Sequence, residues 1–114
     1  MSYLIKAILG DTTAEYYHNY TNGIVITAKR ITLCNTSASP VTVNLSFFNS
    51  LIGETFETGA VLFGKNIPAN DSITEVLDRE LQSDDTVNAY ASVTNVVSLS
   101  MDIEGDEGRY LNPA

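Results

Sequence analysis

Tryptophan is absent, cysteine and histidine occur once each (Cys34 and His18), and six lysines and arginines stand against fourteen acids in 114 residues. The missing tryptophan decides nothing, but the other shortages each close a class of function. One thiol forms no internal disulfide, and structural zinc needs a cluster of Cys and His that this chain lacks. Nucleic-acid binding draws on Lys and Arg displacing counterions, so a net charge of −8 without a basic stripe argues against direct contact with DNA or RNA. No apolar run approaches the roughly 20 residues of a membrane span. The opening MSYLIKAILGD lacks the basic region and cleavage site of a signal peptide, so the chain is expected to be made and kept in a cytosol. Without a secretory route, the sequons at Asn19, Asn35, Asn44 and Asn70 are read as turn residues.

What is present is a period of two. In VTVNLSFFN, Val41, Val43, Leu45 and Phe47 share one face and Thr42, Asn44 and Ser46 the other, as in a strand with one side on a core. VSLSMDI repeats this with Val97, Leu99, Met101 and Ile103. Further strands are expected at 3–8, 16–20, 24–27, 30–35, 61–67, 72–77 and 87–92, separated by turn chemistry such as GDTT, NTSASP, IPAND and QSDD. Short strands at this spacing indicate a single sandwich or barrel domain. A helix over TEVLDRELQ competes with a strand ending at Leu77 before an acidic turn, and the alternation of SITEVL favours the strand.

Charge is unevenly placed. Residues 1–38 carry Lys6, Lys29 and Arg30 against Asp11 and Glu15, whereas residues 39–114 carry three basic and twelve acidic side chains. This acidity is read as keeping a β protein soluble and away from wrong surfaces, with an acidic face made for a basic partner as the alternative.

Catalytic constellations are weak. His18 is the sole base of its kind, and no Gly-x-Ser-x-Gly elbow accompanies it. Cys34, across the strand from Leu33, reads as a buried small hydrophobe. Acid pairs drawn from Glu75, Asp78, Asp84 and Asp85 are the coincidences expected of fourteen carboxylates. DIEGDEG at 102–108 departs from a calcium loop, because its sixth residue is Glu107 rather than glycine. GETFETG at 53–59 lacks the Lys-Ser/Thr of a phosphate loop. No metal or cofactor is expected.

Three strings in order, ITLCNTSASPVTVNLSFF, LFGKNIPANDSI and ELQSDDTVNAYASVTNVVSLSMDIEG, span about Ile24 to Gly105. Together they resemble the small β-sandwich proteins of tailed bacteriophage virions. The resemblance implies a structural role without catalysis, on capsids as decoration or cement, or in necks, tails and baseplates as adaptor or fibre domains.

The expectations are as follows. The fold is an all-β antiparallel sandwich, jelly-roll-like, of about eight strands, with Val41, Val43, Leu45, Val97, Leu99 and Met101 in its core. Residues 1–21 form an N-terminal arm or the first strands, 22–104 the sandwich, and 105–114 an acidic flexible tail. The function is a capsid decoration protein that binds the head exterior and stabilises the lattice within a virion assembled in the host cytoplasm. A tail, neck or baseplate component is the alternative. A carbohydrate-binding module, stacking sugars on Tyr16, Tyr17, Tyr20, Phe48 and Tyr90, is the second alternative. Partners are other virion proteins, above all the major capsid protein, and further copies of the chain, with a trimer as the guess; membrane and nucleic acid are not among them. Contact residues are expected at Tyr3, Leu4, Ile5, Ile8, Tyr16, Tyr17, Tyr20, Lys29 and Arg30, because an apolar, tyrosine-rich start costs solubility unless covered.

Overall fold

Alternating residues sort onto two sheets. A computed structural model of the chain describes residues 2–19 and 26–105. Its strands are β1 (Ser2–Ile8), β2 (Ala14–His18), β3 (Ile26–Asn35), β4 (Val41–Phe48), β5 (Ala60–Ile67), β6 (Ser72–Leu81), β7 (Thr86–Ala91) and β8 (Val97–Gly105), with one 3-10 turn at Ser50–Ile52. One sheet has the order β1-β8-β3-β6 and the other β2-β7-β4-β5. Every neighbouring pair is antiparallel. Two four-stranded sheets in this order, with every successive strand changing layer except across the β4–β5 pair, make a jelly roll.

The core lies between them. Ile26, Ile31, Leu33, Leu81, Leu99, Met101 and Ile103 from the first sheet meet Val41, Val43, Leu45, Phe47 and Val87 from the second, all buried. All six expected core residues are among the buried ones. Each fully buried Leu, Val or Met side chain contributes on the order of 1.5–3 kcal/mol, which lets a chain of this size hold together without cross-links.

The structure departs from the sequence reading in three places. Two strands were expected at 24–27 and 30–35, but a single strand, β3, runs through Ile26–Asn35. The register slips between Ala28 and Arg30 in both of its ladders, so the buried positions go from Ile26 and Ala28 to Ile31 and Leu33. A one-residue bulge at Lys29 shifts the phase of the alternation and so imitates a strand break. Second, β6 continues past Leu77 to Leu81 instead of turning. The helix alternative is absent there too. Third, Cys34 is half-buried rather than buried, pairing with Ser98 and Ser72 on the outward face of the first sheet. Leu33 takes the core position, and alternation turns its neighbour outward.

Side-chain amides hold the ends of the sandwich. Asn35 is fully buried. Its amide nitrogen donates to the carbonyls of Ser39 (2.8 Å), Ile67 (3.1 Å) and Pro68 (3.2 Å), while its oxygen accepts from the N–H and hydroxyl of Ser37. It thereby ties the NTSASP turn to the IPAND turn, which explains why these two motifs occur together. Asn19 does the same at the far end, donating to the carbonyls of Leu81 (2.9 Å) and Gln82 (3.1 Å). With Asn44 accepting from the N–H of Gly64, three of the four sequon asparagines are committed to internal bonds.

Candidate interaction surfaces

The outward face of the β1-β8-β3-β6 sheet is a grid set by its register. One row runs Leu4, Asp102, Arg30, Val76; the next Lys6, Ser100, Thr32, Thr74; the next Ile8, Ser98, Cys34, Ser72. Short hydroxyl side chains fill its middle, with Thr32 and Thr74 sharing a hydrogen bond of 3.1 Å. Apolar residues stand at its two edges: Leu4 and Ile8 on β1 are 47% and 56% exposed, and Val76 on β6 is 73% exposed.

The expected contact residues divide across the molecule. Leu4 and Ile8 lie on this face, whereas Ile5, paired with Met101, is half-buried against the core. Tyr3 contributes its backbone to β1 opposite Ile103, and its side chain, like all of Tyr20, lies outside the described residues. Tyr16 and Tyr17 sit on β2, the edge of the other sheet, where a register slip between Glu15 and Tyr17 makes Tyr16 the extra residue. Both rings pack partly against the core, which an unbroken strand would not allow for two consecutive residues.

Arg30 is on the grid and Lys29 is the bulged residue beside it, but each already has an anion. Lys29 Nζ lies 2.9 Å from Asp78 Oδ1, and Arg30 Nε 3.3 Å from Asp102 Oδ2. Asp78 holds the Lys29 ammonium above its ordinary pKa, chiefly through their hydrogen bond and then through the opposing charge. The two cations, with Val76 and Asp78, line a shallow hollow whose charges largely cancel.

Several other ionisable groups are held in structural pairs. His18 Nε2 is 3.2 Å from Asp84 and its Nδ1 3.7 Å from Glu15. Glu75 meets Lys65 at 3.2 Å, and Asp85 accepts from the N–H of Gln82 at 2.7 Å. Among the described residues no three His, Cys, Asp or Glu side chains are grouped to hold a metal ion.

Of the rings named for sugar stacking, Phe48 and Tyr90 stand on β4 and β7 and Tyr16 and Tyr17 on β2, while Tyr20 lies outside the described residues. The β4–β5 connection folds back over the outward face of the second sheet, where Ser46 donates to the carbonyl of Phe56 at 2.7 Å. Phe56 sits 6.3 Å from Phe48 and 5.5 Å from Tyr90, ring to ring. Gly59 makes this return possible, because a Cβ there would lie 2.0 Å from the Phe47 carbonyl oxygen. Phe48, Tyr90, Tyr16 and Tyr17 are all half-buried.

Sequence reasoning missed five exposed apolar residues, Val76 on β6, Phe63 on β5, Leu51 and Ile52 in the 3-10 turn, and Val93 just after β7. The signal for Val76 was its even-numbered place beside Thr74 in SITEVL. The others sit in irregular segments without a readable phase.

No protein-family model matches this chain, and no curated protein matches it. Solved structures do. A chain of the acidic stable capsid of Helicobacter pylori bacteriophage KHP30 is 15% identical with a TM-score of 0.56, covering 91% of this chain and 86% of that one. A chain of the disulfide-linked pili that are the endospore appendages of Bacillus is 16% identical with a TM-score of 0.53, covering 90% and 82%. A chain of the T13 IBDV viral particle is 8% identical with a TM-score of 0.57, covering 96% of this chain but 32% of that one. At these identities the likeness is one of fold: the jelly roll of this chain is also found in two virus particles and a bacterial pilus.

Proposed function

We propose that the chain is a non-enzymatic structural protein of a bacteriophage virion, assembled in the host cytoplasm. Its most specific role is capsid decoration: it seats on the outside of the head, against the major capsid protein, and stabilises the lattice. The observation that carries this reading is mutual coverage. The chain and the KHP30 capsid chain are each little more than one jelly roll, matched over 91% and 86% of their lengths. The ordered turn motifs that resemble phage virion proteins give it independent support, and the Asn35 clamp supplies a physical reason for their order.

The surface chemistry is compatible with a protein partner. A net charge of −8, with Lys29, Arg30 and Lys65 engaged by carboxylates, suits a neutral or basic patch on a shell and disfavours packaged DNA. The half-burial of Tyr16, Tyr17, Phe48 and Tyr90 weighs against the carbohydrate-binding reading. A tail, neck or baseplate site is the runner-up, since the same fold serves there equally well.

The test is loss and restoration. Particles made without the chain are expected to release their genome at lower temperature than complete ones, and the purified chain added back is expected to bind the heads and restore the difference. Particles that are equally heat-stable without the chain, and that take up none of it, would overturn the decoration role.

A further inference from the structure

Each sheet of an open sandwich ends in two edge strands, whose outward N–H and C=O groups are templates for another strand unless something blunts them. The four edges here are β1, β6, β2 and β5. Three carry extra residues. β2 has Tyr16; β5 has two slips, one beside Gly64 at a φ of 66°; β6 has one opposite Lys29, with Asp78 at a φ of 46°. A bulge twists an edge and interrupts its hydrogen-bonding row. β1 differs, for its seven residues pair with β8 from Ser2↔Glu104 to Ile8↔Ser98 without a slip. Among the described residues nothing pairs with its other side.

The backbone polarity of β1 follows from its end. Leu9 donates its N–H to the Val97 carbonyl at 2.9 Å, so odd-numbered residues bond toward β8. Alternation then directs the N–H and C=O of Ser2, Leu4, Lys6 and Ile8 to the open side. Leu4, Lys6 and Ile8 also belong to the outward face, where Leu4 and Ile8 are exposed.

We propose that the open edge of β1 pairs with β1 of a second copy, antiparallel about a two-fold axis, with Ile5 opposite Ile5 and Leu4 opposite Lys6. The pairing joins two four-stranded sheets into one continuous sheet. Three constraints select this register. Keeping outward face on outward face, and matching outward-bonding residues with one another, both require even-numbered partners for Leu4 and Lys6. Overlap of all seven residues requires Ser2 opposite Ile8. The alternative two-fold register that sets Leu4 against Ile8 would place Lys6 directly against Lys6, which like-charge repulsion disfavours. The lone charge on the edge thus selects one register over the other. A closed two-fold contact builds a dimer instead of the trimer guessed from the sequence. The inference concerns self-association alone and holds whether or not the chain decorates a capsid.

The experiment is sedimentation equilibrium of the full chain together with two variants. The wild type is expected to dimerise with a dissociation constant on the order of 10 μM, as suits a small edge contact. Lys6→Pro removes an outward N–H that β8 does not use, and proline is tolerated on an edge when its nitrogen faces solvent. It is expected to keep the strand-rich circular dichroism and cooperative melting while weakening the dimer at least tenfold. Ile5→Cys in a Cys34→Ser background places one thiol per copy at the two-fold, so mild oxidation is expected to yield a covalent dimer. Should Lys6→Pro fail to fold, this cross-link decides. A wild type that stays monomeric at about 300 μM, a Lys6→Pro protein that dimerises as well as wild type, or a dimer that Ile5→Cys does not cross-link would each overturn the proposal.

Discussion

The buried amide of Asn35 donates to the carbonyl of Ile67 across 3.1 Å, joining the start of one turn to the start of another thirty-two positions along the chain. Around this bond, the backbone N–H of Asn35 goes to the Asp71 carbonyl and that of Asn70 to the Ser37 carbonyl. The two loops close one end of the sandwich as a unit. These bonds tie any surface presented there to both loops at once.

Asn35→Ala removes three donations and leaves the buried Ile67 carbonyl without its side-chain donor. The expected loss is about 3 kcal/mol, or roughly 10–20 °C in melting temperature for a domain of this size. Thermal circular dichroism checks it, and a melting temperature within a degree or two of wild type would show that water replaces the amide without cost.

Two glycines should behave differently for separable reasons. At Gly59 an added methyl would meet the Phe47 carbonyl oxygen at 2.0 Å, a backbone atom that cannot move without tearing β4 from β5. At Gly53 the space is open but φ is +86°. Gly59→Ala is expected to cost more than ~3 kcal/mol and Gly53→Ala about 1–2 kcal/mol. Urea unfolding of the two variants orders them, and the reverse order would contradict the placement of the β4–β5 return.

The Lys29–Asp78 pair gives a pH dependence of known sign. Because Asp78 raises the Lys29 pKa above 10.5, the stabilisation is fully present below the unfolded lysine's pKa and is lost as pH rises through the folded value. Asp78→Asn keeps a residue suited to φ 46° while removing the charge. The stability gap between wild type and Asp78→Asn is therefore expected at neutral pH, to shrink with salt because the pair is exposed, and to close in strong alkali. A gap that widened with rising pH would contradict the pairing. NMR titration of the Lys29 amine is expected to show a lower pKa in the variant.

Phe56 links Phe48 to Tyr90 outside the second sheet. Phe56→Ala is expected to cost about 2 kcal/mol, below the value for a fully buried ring because Phe56 is half-buried. Chemical denaturation measures it. A neutral substitution would mean that the loop, and not its ring, covers β4.

Much of the fold was legible because burial in a half-covered sheet imposes a period of two. Val97 to Ile103 obeys it throughout; in Val41 to Phe47 the odd-numbered apolar residues obey it while Asn44 and Ser46 are buried as well, and both segments were placed with the correct apolar face inward. Lys29 hid the unity of β3, since one bulged residue turns a continuous strand into two runs of opposite phase. The sequence DRE at 78–80 hid the end of β6, an edge strand with its charges in water. Asn35 could be read as a turn residue, but not as a clamp, because its partners Ile67 and Pro68 are distant in sequence and adjacent only after β4 and β5 have paired. For the surfaces, the exposure of Leu4 and Ile8 followed from an apolar start. That Lys29 and Arg30 are matched by Asp78 and Asp102 depends on strand order, which the sequence does not display.

Cryo-electron microscopy of virus particles purified from the lysate in which the chain is made tests the virion assignment most directly. A two-layer, eight-strand density fitted by this jelly roll is expected on the outer surface of the head, in contact with the major capsid protein and at a fixed stoichiometry per lattice subunit. Density confined to the tail would contradict the decoration role, and particles in which neither the map nor mass spectrometry finds the chain would contradict a virion role altogether.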